Sequence, residues 1–133
     1  MSEFKGGCMC GAVQYAVKSE PRLSFLCQCR QCQRITGTGH SAEFVASAND
    51  TMISGELKFY ELAAESGNTV TSGFCPTCGN PVLKTSSGYP GMLFFHAASL
   101  DNPGLFKPQT VFWHASHQPW DFVDPSLELK EHV

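Results

Sequence analysis

The sequence predicts an all-β fold, from three observations. Short runs rich in β-branched and aromatic residues recur along the chain, turn signals separate them, and no segment keeps a helical period for long. The first run is "AVQYAV" at 12–17, in which Val13, Tyr15 and Val17 alternate onto one face. "ELKFYEL", "TVTSGF", "GMLFFHA" and "TVFWHA" follow in the same style. Between them stand "SGE" at 54–56, "ESGN" at 65–68, "SSGYPG" at 86–91 and "DNPG" at 101–104, each built from residues that tolerate or preset turn dihedrals. "RQCQRIT", directly after Cys29, is the one short helix expected. Late in the chain "VFWHASHQPW" reads as a strand that sets His114 on the face opposite Trp113, and "LELKEHV" as a fraying end or at most a marginal turn of helix.

A length of 133 residues matches one domain. With 42% hydrophobic and 16% charged residues there is a core to bury, so a disordered chain is excluded. No apolar run approaches the roughly 20 residues of a membrane span. The opening "MSEFKGGCMC" lacks the apolar stretch of a secretion signal, which makes a cytoplasmic location the expectation. The formal charge is -3, and no basic stripe marks a phosphate-backbone binder, so nucleic acid is not expected as a partner.

Seven cysteines are too many for incidental core filling, and in a reducing compartment they argue for metal ligation over disulfides. They fall into three groups: Cys8-x-Cys10, Cys27-x-Cys29-x-x-Cys32 and Cys75-x-x-Cys78. "CMCG" and "CPTCG" each place a glycine, Gly11 or Gly79, where a left-handed residue lets backbone N–H groups turn back toward sulfur. Pairing Cys8 and Cys10 with Cys75 and Cys78 makes a closed four-thiolate site for a structural Zn²⁺. Loop-closure entropy grows only logarithmically, so the separation along the chain is no obstacle.

Cys27, Cys29 and Cys32 remain, and three thiolates leave one position of a tetrahedron open. An open zinc position binds water or an incoming thiol, and holds that thiol as the nucleophilic thiolate. Two of the chain's three arginines, Arg30 and Arg34, lie in this segment and are candidates to clamp a carboxylate of an acidic thiol ligand. Their alternative role is to offset thiolate charge. Other readings of the trio are an iron–sulfur or redox-active thiol cluster, or closure of the site by one of His40, His96, His114, His117 and His132.

The order "GGCMCGAVQYAV", "CQCRQCQRITGTG", "FCPTCGNPV" and "SLDNPGLFKPQTVFWHASHQPW" resembles the glutathione-dependent formaldehyde-activating enzyme family, also called the centromere-protein-V/formaldehyde-activating domain, over about residues 5–124. The resemblance implies a β-tent fold of packed antiparallel sheets, a structural zinc on Cys8, Cys10, Cys75 and Cys78, and a second zinc on Cys27, Cys29 and Cys32. It also implies a carbon–sulfur lyase-type activity, the condensation of glutathione with formaldehyde to S-(hydroxymethyl)glutathione. A thiolate would attack the aldehyde carbon and a nearby acid would protonate the alkoxide, with His40, His114, His117 and Tyr60 as candidates for that acid. One position departs from the pattern: Gln28 stands where the family commonly has histidine, which bears on the charge of the site and on its substrate. A glutathione-binding carrier or sensor without turnover, and a structural zinc interaction module, are the readings from other functional classes. No cysteine follows Cys78, which sets aside a β-tent methionine sulfoxide reductase.

Overall fold

Alternation on one strand begins the core. In the computed structural model, which describes residues 4–133, Val13, Tyr15 and Val17 are buried while Gln14 and Ala16 face out. The described residues form eleven strands and one α-helix. These are β1 (Lys5–Gly7), β2 (Gln14–Val17), β3 (Leu23–Cys27), α1 (Arg30–Thr36), β4 (Ser41–Ser47), β5 (Thr51–Ser54), β6 (Lys58–Ala63), β7 (Thr69–Phe74), β8 (Pro81–Ser86), β9 (Met92–His96), β10 (Thr110–Phe112) and β11 (Glu128–Leu129). The fold is all-β, as the sequence predicts.

Two sheets carry these strands, a three-stranded one in the order β1-β2-β5 and an eight-stranded one in the order β11-β10-β3-β4-β9-β8-β7-β6. The inner face of β2 packs against Phe44, Leu83 and Phe95 of the large sheet. The Tyr15 and Phe95 rings stack at 4.2 Å, and the Tyr15 hydroxyl is satisfied 2.6 Å from Ser99 Oγ. Strand period 2 sends the neighbours of these residues the other way, so Phe25, Cys27 and Val45 build a second cluster on the opposite face of the large sheet. That second face carries the site.

Three expectations are corrected. The strand expected through "VFWHASHQPW" stops at Phe112, because Trp113 takes a left-handed backbone (φ 59°) and residues 114–116 form a 3₁₀ turn. The C-terminal "LELKEHV" neither frays nor coils into helix: β11 pairs with β10, and Trp113 N donates to His132 O at 2.8 Å. The β3–β10 and β10–β11 pairings are parallel, two departures from an otherwise antiparallel arrangement.

Candidate functional site

Two hairpins deliver the first cysteine group. Cys8 follows β1 and Cys75 follows β7, and the four sulfurs of Cys8, Cys10, Cys75 and Cys78 lie within 4.8 Å of one another. Gly11 (φ 82°) and Gly79 (φ 75°) have the left-handed conformation their positions called for. Val13 N donates to Cys8 Sγ at 3.2 Å and Thr77 N to Cys75 Sγ at 3.4 Å. Against burial, the Val13 N–H and the thiols of Cys10, Cys75 and Cys78 bring Cys8 down to about 6, while Cys8, burial, Cys75 and Cys78 hold Cys10 up at about 11 against the pull of the Ala12 N–H. The Cys8–Cys10 and Cys10–Cys75 sulfur separations are 3.6 and 3.7 Å. A tetrahedron with metal–sulfur bonds of about 2.3 Å has edges of about 3.8 Å, so the group fits a four-thiolate ion. A metal here would tie the small sheet to the large one.

Cys27 ends β3, Cys29 caps the N-terminus of α1, and Cys32 sits in its first turn, with Cys32 N donating to Cys29 Sγ at 3.3 Å. Their three sulfurs also lie within 4.8 Å of one another. Among the described residues no histidine or carboxylate joins them as a fourth ligand. The trio shares its protons unevenly: hydrogen bonds from the Cys27 and Cys32 thiols, with Lys84 nearby, draw Cys29 down to about 3, and its thiolate in turn pushes Cys27 far up. Crowded thiols that resist losing a second proton are what a cation relieves, and the donor set suits zinc.

Beside the trio lies a group that sequence reasoning missed. Lys84 Nζ donates to Glu43 Oε2 at 2.9 Å and to Cys32 Sγ at 3.3 Å, and Ser41 Oγ donates to the same carboxylate. Glu43 is wholly buried. Burial disfavours the Lys84 ammonium, but Glu43 first and then the Cys32 and Cys27 sulfurs outweigh it and hold the charge. Glu43 Oε1 and His96 Nε2 are buried with no hydrogen-bond partner among the described residues, on residues directly opposite each other across β4 and β9. Burial pulls the His96 imidazole below its ordinary value.

Cys27, Cys29, Arg30, Glu43 and Lys84 line a cavity of about 470 Å³, whereas Cys32 does not reach it. Two of the three cysteines thus border this space. Arg30 is exposed at the rim and its guanidinium also meets Gln33 Oε1, while Arg34 is exposed elsewhere on α1 and does not line the cavity. A second hollow of about 630 Å³, bordered by Glu61, Thr71 and Pro90, has no cysteine, histidine or basic residue in its walls. No chemistry is assigned to it.

The glutathione-dependent formaldehyde-activating enzyme description matches residues 3–116. The chain belongs to that family. No curated protein matches it. A crystal structure of a Rhodobacter sphaeroides protein is similar to it with a TM-score of 0.60 and 25% identity, covering 78% of this chain and 96% of the other.

The position at which this chain departs from the formaldehyde-activating family has a structural account. Gln28 is fully buried; its amide donates to Asp121 Oδ2 at 2.9 Å and its carbonyl lies 2.8 Å from His114 Nδ1. Asp121 also holds His40 Nδ1 at 2.9 Å, and Gly39 sits so close beneath Asp121 that a Cβ there would lie 2.2 Å from Cγ. His114 stacks on His117 at 4.2 Å. This network fastens the C-terminal segment to the back of the cysteine turn. His40, His114 and His117, three of the candidate acids, belong to it and do not line the cavity, and Tyr60 is exposed on β6. Lys84, in hydrogen-bond contact with Cys32, does line it, and the signal in the sequence was only an isolated charge within a strand-like run.

Proposed function

We propose that this protein binds a thiol, glutathione by family likeness, at Cys27, Cys29 and Cys32, and joins its sulfur reversibly to the carbon of an aldehyde. The observation that carries this reading is the three-cysteine group, two of whose members line a cavity of about 470 Å³. Cys27, Cys29 and Cys32 would hold the second Zn²⁺, and Cys8, Cys10, Cys75 and Cys78 the structural one. When bound at the trio, zinc supplies a positive centre that keeps a thiol deprotonated at neutral pH. The protein's own groups do the rest. Lys84 holds Cys32 by a hydrogen bond and, from the cavity wall, offers an N–H to the oxygen that gains charge as the carbonyl is attacked. Arg30 at the rim pairs with a carboxylate of the thiol, and the cavity walls hold the two reactants in one orientation away from water. Arg34, away from the cavity, is given no contact with the thiol.

Native mass spectrometry of the freshly purified protein, with and without millimolar glutathione, tests the binding step, and exchange NMR of glutathione with formaldehyde tests turnover. Two zinc ions and one glutathione adduct are expected, with accelerated exchange. An adduct without acceleration supports the carrier reading; two zinc ions with no adduct overturn the thiol site.

A further inference from the structure

The cavity lining is mixed, with Arg30, Gln31, Glu65, Asn68 and Lys84 among its polar members and a largely apolar remainder. Leu23, Phe25, Val45, Phe94 and Phe112 form an apolar wall beside Cys27 and Cys29. They share one face of the large sheet, since the register sets Leu23 beside Val45, Val45 beside Phe94, and Cys27 beside Phe112. The Phe25 ring meets Phe112 at 5.0 Å and Phe94 at 6.3 Å, both edge-on. Leu23, Phe94 and Phe112 stay half-buried although they pack on this cluster, and the surface they keep belongs to the cavity.

Formaldehyde makes no use of such a wall. Its two heavy atoms fill about 30–60 Å³, one or two water volumes, against about 470 Å³ of cavity. It has no hydrocarbon to bury. Glutathione, with two carboxylates, an amine and two amides, gains nothing from aromatic rings either, and its polar ends find Arg30, Gln31 and Asn68 on other parts of the lining. A half-buried apolar wall next to a reactive centre is where the non-reacting part of a substrate binds.

Resting on the thiol-binding reading above, we propose that the electrophile taken by this site is an aldehyde bearing a sizeable apolar group, aromatic or a chain of several carbons. The thiol sulfur bonds to the carbonyl carbon, the C=O π pair moves to oxygen, and that oxygen takes the proton the thiol gave up. Thiol and aldehyde become a hemithioacetal without oxidant or reductant. Its hydrocarbon arm lies against Phe25, Phe94 and Phe112.

Calorimetric titration of the zinc-loaded full chain with glutathione, S-methylglutathione and S-hexylglutathione tests this, the conjugates standing for short and long adducts. Each methylene taken fully from water raises affinity about fourfold. With burial incomplete, the hexyl conjugate is expected to bind at least about tenfold tighter than the methyl one. Phe94→Gln, or Leu23→Gln should the first variant not fold, narrows that ratio. Equal affinities of the two conjugates overturn the apolar electrophile while leaving the thiol site standing. No binding of any of the three overturns the thiol site and this inference with it, and an unchanged ratio in a folded wall variant overturns the wall as its cause.

Discussion

Lys84→Met isolates the buried charge beside the cysteine trio. Methionine keeps nearly the length of the side chain and removes its ammonium, leaving the Glu43 carboxylate, at 0% exposure, with only the Ser41 hydroxyl and the Cys32 thiol as neutral donors. Lys84 itself is 14% exposed, so solvent cannot replace the lost partner cheaply. Removing one member of a buried ion pair costs about 3–5 kcal/mol. At an unfolding entropy of about 2.1 cal/mol/K per residue, a chain of this length loses about 10–18 °C in Tm for that change. The double variant Glu43→Gln with Lys84→Met removes both charges and is expected to recover at least half of the loss, because the residual cost of a neutral amide is far smaller. Urea unfolding of the zinc-loaded proteins at neutral pH measures both, with the m-value checked for constancy. A loss under about 1 kcal/mol in the single variant, or a double variant less stable than Lys84→Met, refutes the reasoning, since 3–5 kcal/mol is what an uncompensated buried charge demands.

Cys29→Ser keeps the cap of α1, because a serine oxygen accepts the Cys32 N–H as well as sulfur does, so the zinc count by native mass spectrometry should fall from two to one with little change in Tm. Cys75→Ser should also lose one zinc but lower Tm steeply, as the two sheets lose their tie. His96 is held below its ordinary value by burial, so between about 6.5 and its folded value the unfolded chain binds more protons and stability falls as pH falls. His96→Gln should flatten that part of the pH–stability curve relative to the wild type; parallel curves would show that His96 does not titrate there. Gln28→Leu strips partners from Asp121 and His114 and should cost about 2–4 kcal/mol, with faster amide exchange across residues 113–133; an unchanged exchange pattern would remove Gln28 from the fastening network.

Local patterns were legible because their causes are local. The alternation at Val13, Tyr15 and Val17 and the α1 segment were readable, since a strand face and a helical turn depend on residues two to four apart. β4 was not. It runs through the middle of the large sheet, buried on both faces from Phe44 to Ala46, so no polar–apolar alternation marks it. β10 was cut short by the left-handed Trp113, a conformation that no sequence rule assigns to tryptophan. Gln28 was visible as an odd residue, yet its partners Asp121 and His114 lie 93 and 86 positions away.

What the sequence by itself determined is the strand-rich class and the division of seven cysteines into four and three, because ligand geometry is imposed within each short turn. Tertiary structure decided what surrounds the three. The order β3-β4-β9-β8 sets Glu43 and Lys84 against Cys32, and the parallel return of β10 sets Phe112 beside Cys27. A buried charge finds its partner, and a cavity its walls, through contacts across strands far apart in the chain. Spacing along the sequence carries no record of them.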